Sequence, residues 1–284
     1  MATTDNGKYY ESSDGLKLFY RDYAHDRPGA PVLCLPGLTR NSRDFEDLAT
    51  HLAALRRVLT PDLRGRGHSA HDPEWRNYHP ATYIADIRML LDQLEVQSVI
   101  VIGTSLGGLI AMGMTMLQPQ RVAGVVLNDI GPEVAPEGLE RIRKYTGRLP
   151  PVRSWDDAVA QAREIYGAWL PGLSDEGWRK MARRAYRDGE DGTPILDMDP
   201  AIGRAVRELG PPGGDPWQVF DAMRGTPVLV LRGELSDILS ADTLERMKKR
   251  HPDLKAVTVS NRGHAPLLDE PESVAAIDSF IGDL

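Results

Sequence analysis

A serine between glycines is the residue whose setting most clearly suits covalent chemistry. Residues 103–107, Gly-Thr-Ser-Leu-Gly, have the pattern G-x-S-x-G; they follow a β-branched run at 99–102 and precede an apolar stretch at 109–117. This context predicts a sharp turn between a strand and a helix. Such a turn exposes the hydroxyl, and the helix N-terminus favours developing negative charge beside it. Ser105 is therefore the predicted nucleophile.

A serine hydroxyl needs an adjacent base at neutral pH. Of the seven histidines, His264 follows a predicted strand at 256–259 by a short loop and precedes the last predicted helix. The carboxyl ends of parallel strands meet at one edge of a sheet, so this loop and the serine turn should lie together. His264 is the predicted general base.

A carboxylate must orient that histidine and stabilise its protonated form. Asp237 lies several residues beyond a predicted strand at 227–231 and gives the chain order serine, aspartate, histidine. Asp237 is therefore the preferred acid. Two alternatives remain: Asp129, which ends the strand at 122–127, and Glu234, which is very near its strand end.

An acyl-transfer site also needs N–H donors where the oxyanion forms. The turn itself supplies the backbone N–H of Leu106. The loop that follows an early strand, Leu35-Pro36-Gly37-Leu38, supplies a second candidate. Because Gly37 permits close approach of the backbone, the N–H of Leu38 is the predicted second donor.

These residues require a sheet whose strands alternate with helices. A hairpin is predicted at 8–23, with Asp14-Gly15 at its turn. Strands and helices then alternate, which predicts an α/β fold with a mostly parallel sheet covered by helices on both faces. The predicted strands are 32–35, 57–60, 98–102, 122–127, 227–231 and 256–259, and the predicted helices are 44–55, 80–94, 106–117, 241–250 and 272–281.

The alternation stops between residues 132 and 216. This proline-rich stretch has helix-like segments near 154–168 and 174–188 and no strong strand. It predicts a helical cap inserted into a core made of residues 1–131 and 217–284. Three tryptophans of the cap are candidates for pocket walls or for the cap's own core: Trp155, Trp169 and Trp178.

Bulk composition narrows the function classes. The 284 residues are 41% hydrophobic and carry a formal net charge of −7, which disfavours nucleic acid and anionic membranes as partners. A small-molecule substrate is expected, with monomer and homodimer both open. No signal peptide or membrane-spanning run is visible, so a cytoplasmic protein is expected. The single cysteine, Cys34, is predicted to be a buried strand thiol.

A metal site is not expected. His68, His71 and Asp72 are close in sequence, but they lie in a polar loop and no third ligand motif accompanies them. No cofactor is expected either.

Taken together, the motifs resemble those of the α/β-hydrolase superfamily over nearly the whole chain. They are residues 36–38 (PGL), 61–69 (PDLRGRGHS), 103–108 (GTSLGG), 233–237 and 263–266 (GHAP). The resemblance implies an eight-stranded sheet and a cap that shapes the substrate pocket. Within the superfamily, the chain looks most like the capped carboxylesterases, lactonases and carbon–carbon-bond hydrolases.

The resemblance implies a serine hydrolase that cleaves an ester, lactone or thioester through an acyl-enzyme. Pro36 departs from the His-Gly of many relatives, although a backbone donor should survive this change. A serine at 105 argues against epoxide hydrolases and haloalkane dehalogenases, whose nucleophile is aspartate. The alternatives are a perhydrolase side activity, a non-catalytic binding protein, and a carbon–carbon hydrolase of dienoic keto-acids, which needs a cap arginine such as Arg141, Arg143 or Arg183 at the pocket.

Overall fold

The computed structural model describes residues 6–210 and 213–284. The strands in these residues are β1 (Gly7–Glu11), β2 (Lys17–Tyr23), β3 (Val32–Leu35), β4 (Val58–Pro61), β5 (Val99–Thr104), β6 (Val122–Asn128), β7 (Tyr186–Asp188), β8 (Pro194–Leu196), β9 (Val228–Gly233) and β10 (Lys255–Val259). Eight of them form one sheet, in the order β1-β2-β4-β3-β5-β6-β9-β10. β1 and β2 pair antiparallel, as do β2 and β4, and the remaining pairs of this sheet are parallel.

Ten α-helices accompany these strands in the described part of the chain. They are α1 (Glu46–Leu52), α2 (Pro80–Gln93), α3 (Leu106–Leu117), α4 (Pro136–Tyr145), α5 (Trp155–Tyr166), α6 (Asp175–Ala185), α7 (Ala201–Glu208), α8 (Pro216–Asp221), α9 (Ala241–Arg250) and α10 (Pro271–Gly282). The predicted α/β fold with an eight-stranded, mostly parallel sheet is confirmed.

The central strands are buried on both faces, as expected for a parallel sheet covered by helices. Every residue of β3 and of β4 is buried, and β5 is buried from Val99 to Gly103. One core lies between the sheet and the helices α2, α3 and α8, and a second lies between the opposite face and the helices α1 and α10. This rigid sheet fixes where each strand ends.

The connection from β5 to α3 is one of the closest backbone approaches in the structure. A Cβ atom added at Gly107 would lie 2.1 Å from the carbonyl oxygen of Leu35, and one added at Gly103 would lie 2.4 Å from the backbone of Gly107. Only glycine fits at either position without moving backbone. The two glycines therefore let α3 begin directly above β3 and β5.

The stretch between β6 and β9 contains more helices and strands than its sequence predicted. Helices α5 and α6 match the two predicted segments, but α4, α7 and α8 were missed. The second predicted helix, 174–188, ends at Ala185, because the chain turns there into the short hairpin of β7 and β8. Packing of alanines and Tyr186 against Val152 gives this region a small core of its own.

The predicted boundaries of core and cap, at 131/132 and 216/217, stay a prediction. Residues 1–5 of the predicted core and residues 211–212 of the predicted cap lie outside the described residues. No helix within 6–210 and 213–284 combines the length and the apolar composition that crossing a bilayer requires.

The close approach at Gly107 predicts a strong penalty for any side chain there. Gly107→Ala should lower the free energy of unfolding by about 1–3 kcal/mol, despite alanine's better helix propensity, because the added methyl group meets backbone. The matched control is Gly282→Ala in α10, where an added Cβ meets nothing within 4 Å. Urea unfolding followed by circular dichroism measures both; equal stability of the two variants would contradict this reading of the turn.

Candidate active site

Ser105 occupies the turn between β5 and α3 with a strained backbone. Its φ is 51° and its ψ is −111°, a region that costs a non-glycine residue roughly 1–3 kcal/mol. Its N–H donates to the carbonyl oxygen of Asn128 on the neighbouring strand, at 3.1 Å. The hydroxyl oxygen lies 2.8 Å from Nε2 of His264. The turn thus presents the hydroxyl directly to a base.

His264 is held from its other side by Asp129. The distance from His264 Nδ1 to Asp129 Oδ2 is 2.8 Å, and the aspartate side chain is fully buried. Asp129 also accepts hydrogen bonds from the N–H of Gly233, at 2.8 Å, and from the hydroxyl of Ser236, at 2.6 Å. These donors compensate the buried carboxylate and direct it at the imidazole.

The prediction that Asp237 orients His264 is wrong. The Asp237 carboxylate instead accepts two hydrogen bonds from Arg141 of α4, from Nε at 2.7 Å and from Nη2 at 2.8 Å. Glu234, the other alternative, accepts the N–H of Asn261 at 2.9 Å and so holds the loop that precedes His264. Asp129, the remaining alternative, is the carboxylate that the structure places against the base.

The position of Asp129 follows from the order of the strands. Asp129 follows β6, which lies between β5, the strand before Ser105, and β9. Its φ of 55° ends the strand sharply, while its N–H still donates to Leu231 of β9 at 2.7 Å. The side chain is thereby turned inward, whereas Asp237 lies farther along an irregular loop within reach of α4.

The predicted oxyanion donors lie beside Ser105. As the first residue of α3, Leu106 has an N–H without an intrahelical acceptor. Leu38 lines both cavities that Ser105 lines. That the N–H groups of Leu38 and Leu106 bind an oxyanion stays a prediction, and both residues lie where such donors are needed.

Arg66 fixes the loop that carries Leu38, a contact that sequence reasoning missed. Its fully buried guanidinium donates to the carbonyl of Leu38 at 3.0 Å, to that of Arg64 at 2.7 Å and to the hydroxyl of Tyr83 at 2.9 Å. Asp62 joins the same loops by accepting the N–H groups of Ser42 and His68. The resemblance at residues 61–69 pointed to this segment but not to its contacts.

Two cavities meet at Leu38, Ser105 and Ile142. The larger has a volume of about 570 Å³ and an apolar wall built from α3, α4, α7 and α8. The smaller, about 130 Å³, lies on the His264 side and is more polar. Its wall includes Arg40, Asp44, Tyr145, Tyr166, Lys180, Arg184 and Asp269.

Burial raises the pKa of two groups in the wall of the smaller cavity. Burial, reinforced by the adjacent Tyr166, raises the pKa of the Tyr145 hydroxyl, which therefore stays protonated. Burial and the neighbouring Glu270 charge raise the pKa of Asp269. Arg40 is neutralised by Asp44 through bonds of 2.7 and 2.6 Å. The cavity thus offers hydroxyl and ion-paired groups that can form hydrogen bonds.

None of the three tryptophans lines either cavity among the described residues. Trp178 is buried in a separate apolar cluster with Ala162 and Leu170, and Trp155 donates to Asp188 at 3.0 Å. Trp169 packs on Gly263, where an added Cβ would lie 2.3 Å from the indole ring, and stacks beneath Arg141. Trp169 therefore supports the segment next to His264 without facing substrate space.

The three proposed cap arginines have different surroundings. Arg141 is paired with Asp237, and Arg183 lies over the ring of Trp155 at 3.5 Å with its side chain 57% exposed. Only Arg143 of the three lines a cavity that contains Ser105.

The side chains of the dismissed metal candidates contact different partners. The ring of His68 packs against Phe19, Asp72 binds Arg64, and His71 lies 3.7 Å from Asp199. Within the described residues, no cluster of three or more potential ligands occurs. Cys34 is buried in β3, as predicted, and burial raises the pKa of its thiol.

Comparison with known proteins gives consistent matches. A family model described as an alpha/beta hydrolase family matches residues 32–277. A 3-hydroxybutyrate-oligomer hydrolase of Cupriavidus necator is 33% identical over 275 residues, covering 93% of this chain and 92% of the relative. An sn-1-specific diacylglycerol lipase of Danio rerio is 36% identical over 273 residues, covering 94% and 83%.

A solved structure extends the similarity to the entire fold. The crystal structure of an alpha/beta hydrolase from Novosphingobium aromaticivorans has a TM-score of 0.94 and 45% identity, and the match covers 98% of each chain.

The geometry around His264 predicts different outcomes for two aspartate substitutions. Asp129→Asn should lower kcat by about 10³- to 10⁴-fold, because an amide cannot stabilise a protonated imidazole. Asp237→Asn should retain most of the turnover, since that carboxylate binds Arg141 and not His264. Steady-state kinetics on a p-nitrophenyl ester measures both. A larger loss in Asp237→Asn, with the fold intact by circular dichroism, would refute the assignment of Asp129.

Proposed function

Since this chain is a hydrolase of the alpha/beta hydrolase family, we propose that it cleaves carboxylic esters of small to medium organic acids through an acyl-enzyme. The contact of 2.8 Å between Ser105 Oγ and His264 Nε2 carries this proposal, with Asp129 behind the imidazole. A hydroxyl bonded to an oriented base is the arrangement that nucleophilic acyl transfer requires.

Acylation begins when Ser105 Oγ attacks the ester carbonyl carbon and its proton passes to His264 Nε2. The resulting oxyanion is held by the N–H groups of Leu38 and Leu106. Collapse of this intermediate breaks the bond to the alcohol oxygen, which takes the proton from His264 and leaves. Asp129 stabilises the imidazolium while it exists.

Deacylation repeats the same steps with water. His264 removes a proton from the water as its oxygen attacks the acyl carbon, and Ser105 Oγ takes that proton back on leaving. The products are one carboxylic acid and one alcohol, and the enzyme returns to its starting state.

The relatives support ester cleavage in particular. The units of a 3-hydroxybutyrate oligomer are joined by ester bonds, and a diacylglycerol lipase also acts on an ester. A lactone or thioester would follow the same chemistry. Cleavage of carbon–carbon bonds by the same residues is the second candidate, favoured by one observation, the presence of Arg143 at a cavity that includes Ser105.

Ser105→Ala should lower hydrolysis of short and medium p-nitrophenyl esters by about 10⁴-fold or more, because no other described group replaces the nucleophile. It should also abolish covalent labelling by a fluorophosphonate probe. Ser279→Ala, at an exposed position of α10, is the matched control and should behave as wild type.

Wild-type turnover of these esters that survives in Ser105→Ala would contradict the mechanism. Turnover of a dienoic keto-acid without any ester hydrolysis would instead establish the second candidate.

A further inference from the structure

The two cavities lie on different sides of the bond to be cleaved. In the proposed function, on which this inference rests, His264 must give its proton to the departing alcohol. His264 lines the smaller cavity and is not among the described residues lining the larger one. The alcohol therefore belongs in the smaller cavity and the acyl chain in the larger.

The larger cavity has an apolar wall near Ser105. Its volume of about 570 Å³ is larger than an acetyl group requires and can hold an extended acyl chain. The side chains next to the nucleophile are aliphatic or thioether groups that cannot hydrogen-bond a polar chain: Leu106, Leu109, Met112, Ile130, Leu139 and Ile142.

One cation interrupts this wall. Arg143 lies four residues after Leu139, on the same face of α4, and Ile142 beside it also lines the cavity. Its Nε atom is buried and has no hydrogen-bond partner. Within residues 6–210 and 213–284, Arg143 forms no hydrogen bond or ion pair at all.

The acidic and histidine side chains on the cavity wall do not neutralise the positive charge of Arg143. Glu133 accepts hydrogen bonds from Trp217, at 2.7 Å, and from Arg246, at 2.5 Å. Asp215 accepts the N–H of Trp217 at the start of α8, and His79 caps α2 by accepting the N–H of Ala81. Arg143 is thus left with its donors available.

A partly buried guanidinium without an anion is costly, and a bound anion removes that cost. The planar donors of arginine match a carboxylate, which can accept two parallel hydrogen bonds. Arg141, two residues earlier, shows this pairing with Asp237 on the same helix. An acyl chain that enters the larger cavity and ends in a carboxylate would meet Arg143 on the wall.

We propose that Arg143 binds a carboxylate on the acyl chain, so that the preferred substrates are monoesters of dicarboxylic acids. Arg143 is then a specificity-determining residue, and the apolar wall between it and Ser105 accommodates the methylene groups that separate the two carbonyl carbons.

Two esters with one leaving group test this proposal. Mono-p-nitrophenyl hexanedioate carries the terminal carboxylate, and p-nitrophenyl hexanoate has a methyl group there instead. Wild type should favour the anionic ester in kcat/KM by roughly 10- to 100-fold, the range expected for one charge-assisted pair. Arg143→Gln should bring that ratio near one, chiefly by raising KM for the anionic ester, and Arg143→Lys should restore part of it.

A matched control separates direct binding from long-range attraction. Arg148→Gln removes the same charge from an exposed position just beyond α4 and should leave the ratio unchanged. An equal fall in Arg148→Gln, or a wild-type ratio near one, would overturn the proposal. Cleavage of the neutral ester by wild type but not by Ser105→Ala would then still support the proposed function, whereas failure to cleave either ester would contradict both.

Discussion

The turn at Ser105 is the constraint on which the site depends. A nucleophile with a φ of 51° must be held in a strained conformation by its surroundings, and here the backbone of α3 presses against β3 and β5 through Gly103 and Gly107. That packing leaves the hydroxyl no position except above the end of the sheet. The base and the acid have to reach it there, from the ends of other strands.

Those other strand ends converge because the sheet is parallel. β6 lies next to β5, and β9 and β10 follow, so residues after each of them reach the same edge. Asp129 is the first residue after its strand and is covered by the end of β9 and the loop that follows, which each supply one hydrogen bond. Asp237, from that same loop, is left to bind Arg141 and joins the loop to α4. The segment 233–237 thus hydrogen-bonds Asp129 and also holds α4, the helix that borders both cavities.

Much of this arrangement could be predicted from sequence. Alternation of apolar runs gave the strands and core helices, and the G-x-S-x-G turn and the final loop identified Ser105 and His264. The acid could not be chosen by spacing, because Asp129 and Asp237 both follow strands that end at the same edge. Their roles depend on a positive φ at Asp129 and on Arg141 from a helix that the sequence did not reveal. The contacts of Arg66 and Arg143 are equally non-local, since they arise from how distant loops and helices pack.

Catalysis at this site requires that Asp129 accept the Nδ1 proton of His264. Proton NMR of the resting enzyme tests this directly, because a proton held between imidazole and a buried carboxylate resonates far downfield of ordinary amide protons. This resonance should be present in wild type and in Asp237→Asn and absent in Asp129→Asn. Its persistence in Asp129→Asn together with its loss in Asp237→Asn would show that Asp237, and not Asp129, accepts the proton.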